Sequence, residues 1–193
     1  MIEKTTLEKK ILPVLNYVGI IGACIMVVAY IIAVFVMIRG FKAEEFLQMT
    51  TFAVVNAATG FVIMQFLKIQ GVSFAKMLPD NQEIIKRYYH SKTKDKKVHS
   101  IKYYWTTSVI KDIVIKCLTL AATTVGLIYI VIQGSNDYNL LFLALVNLLM
   151  FVCFGFISLV NAYEFFNNQH VPYMKEQLDK AEQQEPKGEI TEC

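Results

Sequence analysis

Residues 11–38 read ILPVLNYVGIIGACIMVVAYIIAVFVMI, a run with no charged side chain. A helix needs about 20 apolar residues to cross the ~30 Å hydrocarbon core of a bilayer. This stretch can therefore span and still tilt or continue into water. A secretory signal carries only about 7–15 apolar residues before a small-residue cleavage site, whereas this run ends Met37-Ile38-Arg39-Gly40. Barrel strands alternate apolar and polar residues over about ten positions, and this run does not alternate. In lipid, a helix satisfies every backbone group within one continuous segment.

Three further runs follow the first: residues 50–67, 113–132 and 140–163. The second is slightly short, and Gln48 and Lys68 can extend it to the interface. The third is interrupted only by Lys116, and the fourth is uncharged. The whole chain agrees with this reading. Of 193 residues, 55% are hydrophobic and 18% are charged, against about 25% charged in an ordinary soluble domain.

The basic residues assign sides. Three precede the first span, nine lie from Lys68 to Lys102, and three follow the fourth span. Only Arg39 and Lys42 lie between spans one and two, and none lies between spans three and four. Lysine and arginine mark the cytoplasmic side. The expected fold is an all-α membrane protein with four transmembrane helices in two helical hairpins, both termini cytoplasmic. The expected segments are 1–67 (first hairpin), 68–112 (basic cytoplasmic loop with a short helix), 113–165 (second hairpin) and 166–193 (amphipathic helix and acidic tail). Val55-Asn56 and Val146-Asn147 recur in the second helix of each hairpin, a sparse sign of internal duplication.

The most charged stretch is RYYHSKTKDKKVHSIKYYW, residues 87–105. Segment 68–105 as a whole carries a net charge of +6, against +3 for the entire chain. Asp80 and Glu83 have capping-box spacing ahead of an apolar face of Ile84, Ile85, Tyr88 and Tyr89. Arg87, Lys92, Lys94, Lys96, Lys97, Lys102 and Trp105 are candidates for a membrane-surface or partner contact. Lysines gain about 1 kcal/mol each near an anionic leaflet, and Tyr and Trp favour the headgroup level. Nucleic-acid binding is disfavoured because so short a segment contains no recognisable fold. Zinc is disfavoured too, since His90 and His99 have no neighbouring cysteine and few acids. No cofactor, metal or catalytic set is expected.

Within the spans, Asn56, Thr59, Gly60, Gln65, Thr119, Thr123, Asn147 and Ser158 are candidates for either interhelical hydrogen bonding or a pore lining. Lys111, Asp112, Lys116 and Glu164 would form a charged cytoplasmic vestibule, with Asp112 and Lys116 spaced to pair as i, i+4. Small residues four apart, such as Gly19/Ala23, Ala53/Ala57 and Ala122/Gly126, suit close helix approach. Cys24, Cys117 and Cys153 lie in the spans, so no disulfide framework follows.

Two functions fit these features. One is a subunit of a homo-oligomeric pore or channel, including a membrane-permeabilising effector, regulated through the basic loop. The other is a non-catalytic membrane anchor or accessory subunit that recruits a cytoplasmic partner. The sequence leans narrowly to the pore. An enzyme is not expected, because paired carboxylates, a His-Glu metal motif and a nucleophile are all missing. Short loops and the preference for lysine over arginine suggest a bacterial inner membrane with anionic headgroups.

Overall fold

The computed structural model describes residues 10–39, 46–94, 101–134 and 137–184, with side chains placed for 10–36, 39, 48–91, 110–134 and 137–181. Apart from Met77, Leu78 and Asp137, the described residues are helical, without strands. The order is α1 (Leu12–Arg39), α2 (Phe46–Lys76), α3 (Pro79–Lys94), α4 (Ile101–Gly134), α5 (Tyr138–Phe165), a π-helical turn (Phe166–His170) and α6 (Val171–Gln184). Four stretches are long and apolar enough to cross a membrane: Leu12–Val36, Gln48–Lys76, Ile110–Gly134 and Tyr138–Ala181.

The helices outrun the apolar runs that nucleate them. At 1.5 Å per residue, α4 is about 51 Å long and α2 about 46 Å, from 34 and 31 residues respectively. The excess of α2 lies beyond Lys68, and that of α4 lies before Ile113. The fourth run likewise continues, through the π turn, into α6. Pro172 explains that turn. Proline has no N–H, and its ring collides with the carbonyl four residues back. A single widened turn lets the chain absorb the proline without breaking, and Val171 N–H reaches back to Phe166 O.

The chain divides into two compact units: Met1–Gly71 with Val114–Ala162, and Val72–Ile113 with Tyr163–Cys193. The first unit is a bundle in which glycines set the register. A Cβ on Gly60 would strike the Phe151 ring, one on Gly71 the Leu159 backbone carbonyl, and Gly155 faces Leu67. These partners advance together, so α2 and α5 run in the same direction. Against α4 the order reverses: Gln48 donates to Gln133 at 3.3 Å, Phe52 packs with Ile130, and Thr59 faces Gly126. Helix α1 is also antiparallel to α5, with Gly22 on Cys153 and Gly19 on Ile157.

Phe52, Ile130, Leu140 and Ala144 form a buried cluster with Met49, Tyr129 and Leu148 packed around it. The outside is just as apolar. Ile21 and Val28 on α1, and Leu118 and Val125 on α4, are each more than half exposed. Of the small-residue pairs, Gly19/Ala23 is buried, whereas Ala53, Ala57 and Ala122 face outward. Spacing identified the pairs but not the faces.

The second unit has its own core. Ala75, Leu78, Ile85, Tyr163, Phe166, Val171, Met174 and Leu178 are buried, and α6 packs against α3 and the π turn. Helix α3 starts differently from the capping-box expectation. Pro79 is its first residue, and the Leu78 carbonyl accepts from Gln82 N–H at 2.9 Å. Proline suits the first helical position because the N–H it lacks would have no partner there. Asp80 is thereby moved into the first turn, where its charge still favours the helix N-terminus.

Candidate functional site

Two groups of side chains are candidates, one in each unit. In the bundle, Asn56, Thr59 and Asn147 are buried, at 2%, 4% and 3% exposure, and Gly60 is buried with them. Gln65, Thr119, Thr123 and Ser158 are half-buried. The threonines bond within their own helix. Thr59 Oγ1 donates to Val55 O at 2.8 Å, Thr123 to Thr119 O at 2.8 Å, and Thr124 to Leu120 O at 2.9 Å. Thr119 lies within reach of both Ile115 O and Lys116 O. Such back-bonding occupies the hydroxyl hydrogen inside one helix and leaves the two asparagines as the buried groups with donors to offer. Asn56 Oδ1 is buried and accepts no hydrogen bond from any protein group.

In the second unit, polar side chains cross between helices. Lys76 Nζ at the end of α2 donates to Asp112 Oδ2 in α4 at 2.9 Å. This is a correction to the expected Asp112–Lys116 pair. The carboxylate is taken by a residue 36 positions away in sequence, which no local spacing rule could reveal. Both side chains are about one-third exposed, so the pair is worth about 0–1 kcal/mol. Asn81 is 3% exposed, and its Nδ2 donates to Ala75 O at 2.8 Å and to Asn167 Oδ1 at 2.9 Å. One carboxamide thus ties the end of α2, the start of α3 and the π turn. Neither Asn81 nor Asn167 is conspicuous in the sequence. The only local hint is a polar residue just inside a proline-started helix.

The remaining charged candidates are dispersed. Lys111 and Glu164 are exposed, and Lys116 is half-buried. Arg87 is exposed and bonds Glu83 at 2.6 Å along α3. Lys92, Lys94, Lys96, Lys97, Lys102 and Trp105 lie outside the described side chains. On α6, Glu176 bonds Lys180 at 2.6 Å, and this hydrogen bond, with the carboxylate's charge, raises the lysine's pKa. The His170 ring lies tilted against that of Phe166 in the π turn, with centroids 5.1 Å apart. Among the described residues no group of three or more His, Cys, Asp or Glu is placed to hold a metal ion. No protein-family model, curated protein or solved structure matches the chain.

Proposed function

We propose that this chain is an integral membrane protein, inserted as two helical hairpins (α1–α2 and α4–α5). Both termini and the α3–α6 unit face the cytoplasm, and it serves as a non-catalytic anchor that presents a helical platform to a cytoplasmic partner. The observation that carries this reading is the way the second unit is made. Helices α2 and α4 extend past their apolar runs, Lys76 and Asp112 join the extensions, and α3 and α6 complete a separate core. The same unit carries the stretch 92–102, with its five lysines, as the segment offered to the partner. The partner's matching chemistry is an acidic surface, because charge complementarity steers association. The membrane is that of a bacterial cell, and its anionic headgroups would share the same lysines.

Packing inside the bundle favours the anchor over a conduit. Asn56, Thr59 and Asn147, the most enclosed of the polar residues that could line a path, are buried within one chain, where glycine admits a neighbouring helix directly. A second reading, the subunit of a homo-oligomeric pore, draws support from the unpartnered Asn56 oxygen, since polar groups at membrane depth mark ion and substrate paths.

One pair of assays separates the two. Replacing Lys92, Lys94, Lys96 and Lys97 with glutamine should abolish capture of the partner that co-purifies with the wild type. Liposomes containing the purified protein should stay tight to ions and dyes. Dye release that is lost on bulky replacement of Asn56 or Asn147, with partner capture indifferent to the lysines, would favour the pore instead.

A further inference from the structure

The register of α2 on α5 brings two asparagines to one level. Gly60 faces Phe151, and one turn earlier on each helix stand Asn56 and Asn147, 2% and 3% exposed. A further turn back, Phe52 and Ala144 share the buried cluster. The asparagines are therefore flanked along the seam by packed contacts on both sides. Asn56 Oδ1 is buried without a donor. The nearest hydroxyl on α2, that of Thr59, donates to Val55 O instead.

A buried carbonyl oxygen facing apolar side chains is unfavourable unless something donates to it. We infer that Asn56 and Asn147 form an enclosed site between α2 and α5 for one small neutral hydrogen-bond donor, a water molecule, which donates to Asn56 Oδ1 and bridges to the Asn147 carboxamide. Chemistry and size select water. No carboxylate lies along residues 46–76 of α2 or between Tyr138 and Tyr163 of α5 to balance a cation. The buried Phe52–Ala144 cluster and the Gly60–Phe151 contact bound the site one turn away on either side, which favours a small occupant. Buried waters typically occupy such places, making two to four bonds to polar groups that would otherwise lack partners. Both carboxamides are almost fully buried, so the proposed water is a structural one and not a step in a path. It holds whether or not the platform recruits a partner.

The test uses the full chain in lipid nanodiscs with ¹⁵N-labelled asparagine. Magnetisation transfer from water to each side-chain amide is read by NMR, with Asn56 and Asn147 assigned through their own backbone amides. Alongside it, thermal midpoints are measured for Asn56→Leu, Asn147→Leu and the double variant. The expected result is a long-lived water contact at both carboxamides. Each single variant should lower the midpoint by several degrees, and the double should lower it by less than the sum, because the two share one bridge. The absence of a water contact at Asn56 in the wild type overturns the site, and that measurement needs no variant to fold. A midpoint raised by Asn56→Leu overturns it too, since that is what removing an orphaned acceptor would do. Fast exchange of the contacting water with bulk overturns the enclosure, and full additivity overturns the bridge to Asn147.

Discussion

The bundle and the α3–α6 unit are both helical, yet they are held together by different means. In the bundle, the hydroxyls of Thr59, Thr123 and Thr124 return to their own helix, an exposed Gln48–Gln133 bond joins α2 to α4, and neighbouring helices meet where glycine removes a side chain. In the α3–α6 unit, side chains reach across. Lys76 finds Asp112, and Asn81 finds both a backbone carbonyl and Asn167. The proposed placement, with the bundle in lipid and the α3–α6 unit in water, accounts for this contrast. Between helices in lipid the hydrophobic effect does not discriminate, so close van der Waals contact decides the packing. In water, an apolar core supplies the driving force, and polar cross-links fix its geometry.

The largest effect should come from breaking close contact in the bundle. Gly71→Ala places a Cβ against the Leu159 backbone carbonyl, an atom that cannot swing away. The cost should be about 3 kcal/mol, near the top of the usual range for overpacking. The measurement is the unfolding midpoint in detergent. Ala53→Val, on an exposed face of α2, is the control and should change it little. Equal loss from both would mean that outer and inner faces have been confused.

Next comes the carboxamide clasp. Asn81→Ala removes two hydrogen bonds from a buried site and leaves Asn167 Oδ1 without that donor, for a cost of about 2 kcal/mol. Amide exchange should rise in α3 and the π turn before it rises in the bundle. Uniform loss of protection across all helices would erase the distinction between the two units.

Smaller still is the Lys76–Asp112 pair, whose coupling in a double-mutant cycle should be about 0.5 kcal/mol and should shrink with added salt. The smallest effect belongs to Glu176–Lys180. Glu176 raises the Lys180 pKa, so the stabilisation is complete below lysine's ordinary range and is lost only as pH rises through the raised value. Helicity measured by circular dichroism should therefore be flat through neutral pH and fall only in the strongly alkaline limb, and Glu176→Gln should lower the plateau slightly and abolish that fall.

The apolar runs made the four long helices legible, because an uncharged stretch of that length has few alternatives. Their ends were not legible. Residues 68–76 and 101–112 are mixed in polarity, and their helical state depends on a core assembled from distant segments. Asn56 and Asn147 stood out as polar residues in apolar surroundings, and both are buried. The threonines stood out equally, but their hydroxyls bond locally, which spacing cannot distinguish from lining a path. Asp112 shows the limit most plainly. Its sequence neighbour Lys116 satisfied a good local rule, and Lys76, which satisfied none, holds the carboxylate. The same limit applies at Pro172: the sequence implies an amphipathic helix within 166–193, but not the π turn that carries α5 into it.

The central claim is that the bundle is embedded as two hairpins with the α3–α6 unit on the cytoplasmic side. Its most direct test is thiol labelling with a membrane-impermeant maleimide, in a variant whose native cysteines are replaced by serine. Single cysteines would stand at Tyr138, the first residue of α5, and at Glu83 and Lys175, on α3 and α6, all three exposed. The account predicts labelling of Tyr138→Cys in intact cells, and of Glu83→Cys and Lys175→Cys only in inverted vesicles or after lysis. Labelling of all three from the same side would contradict it.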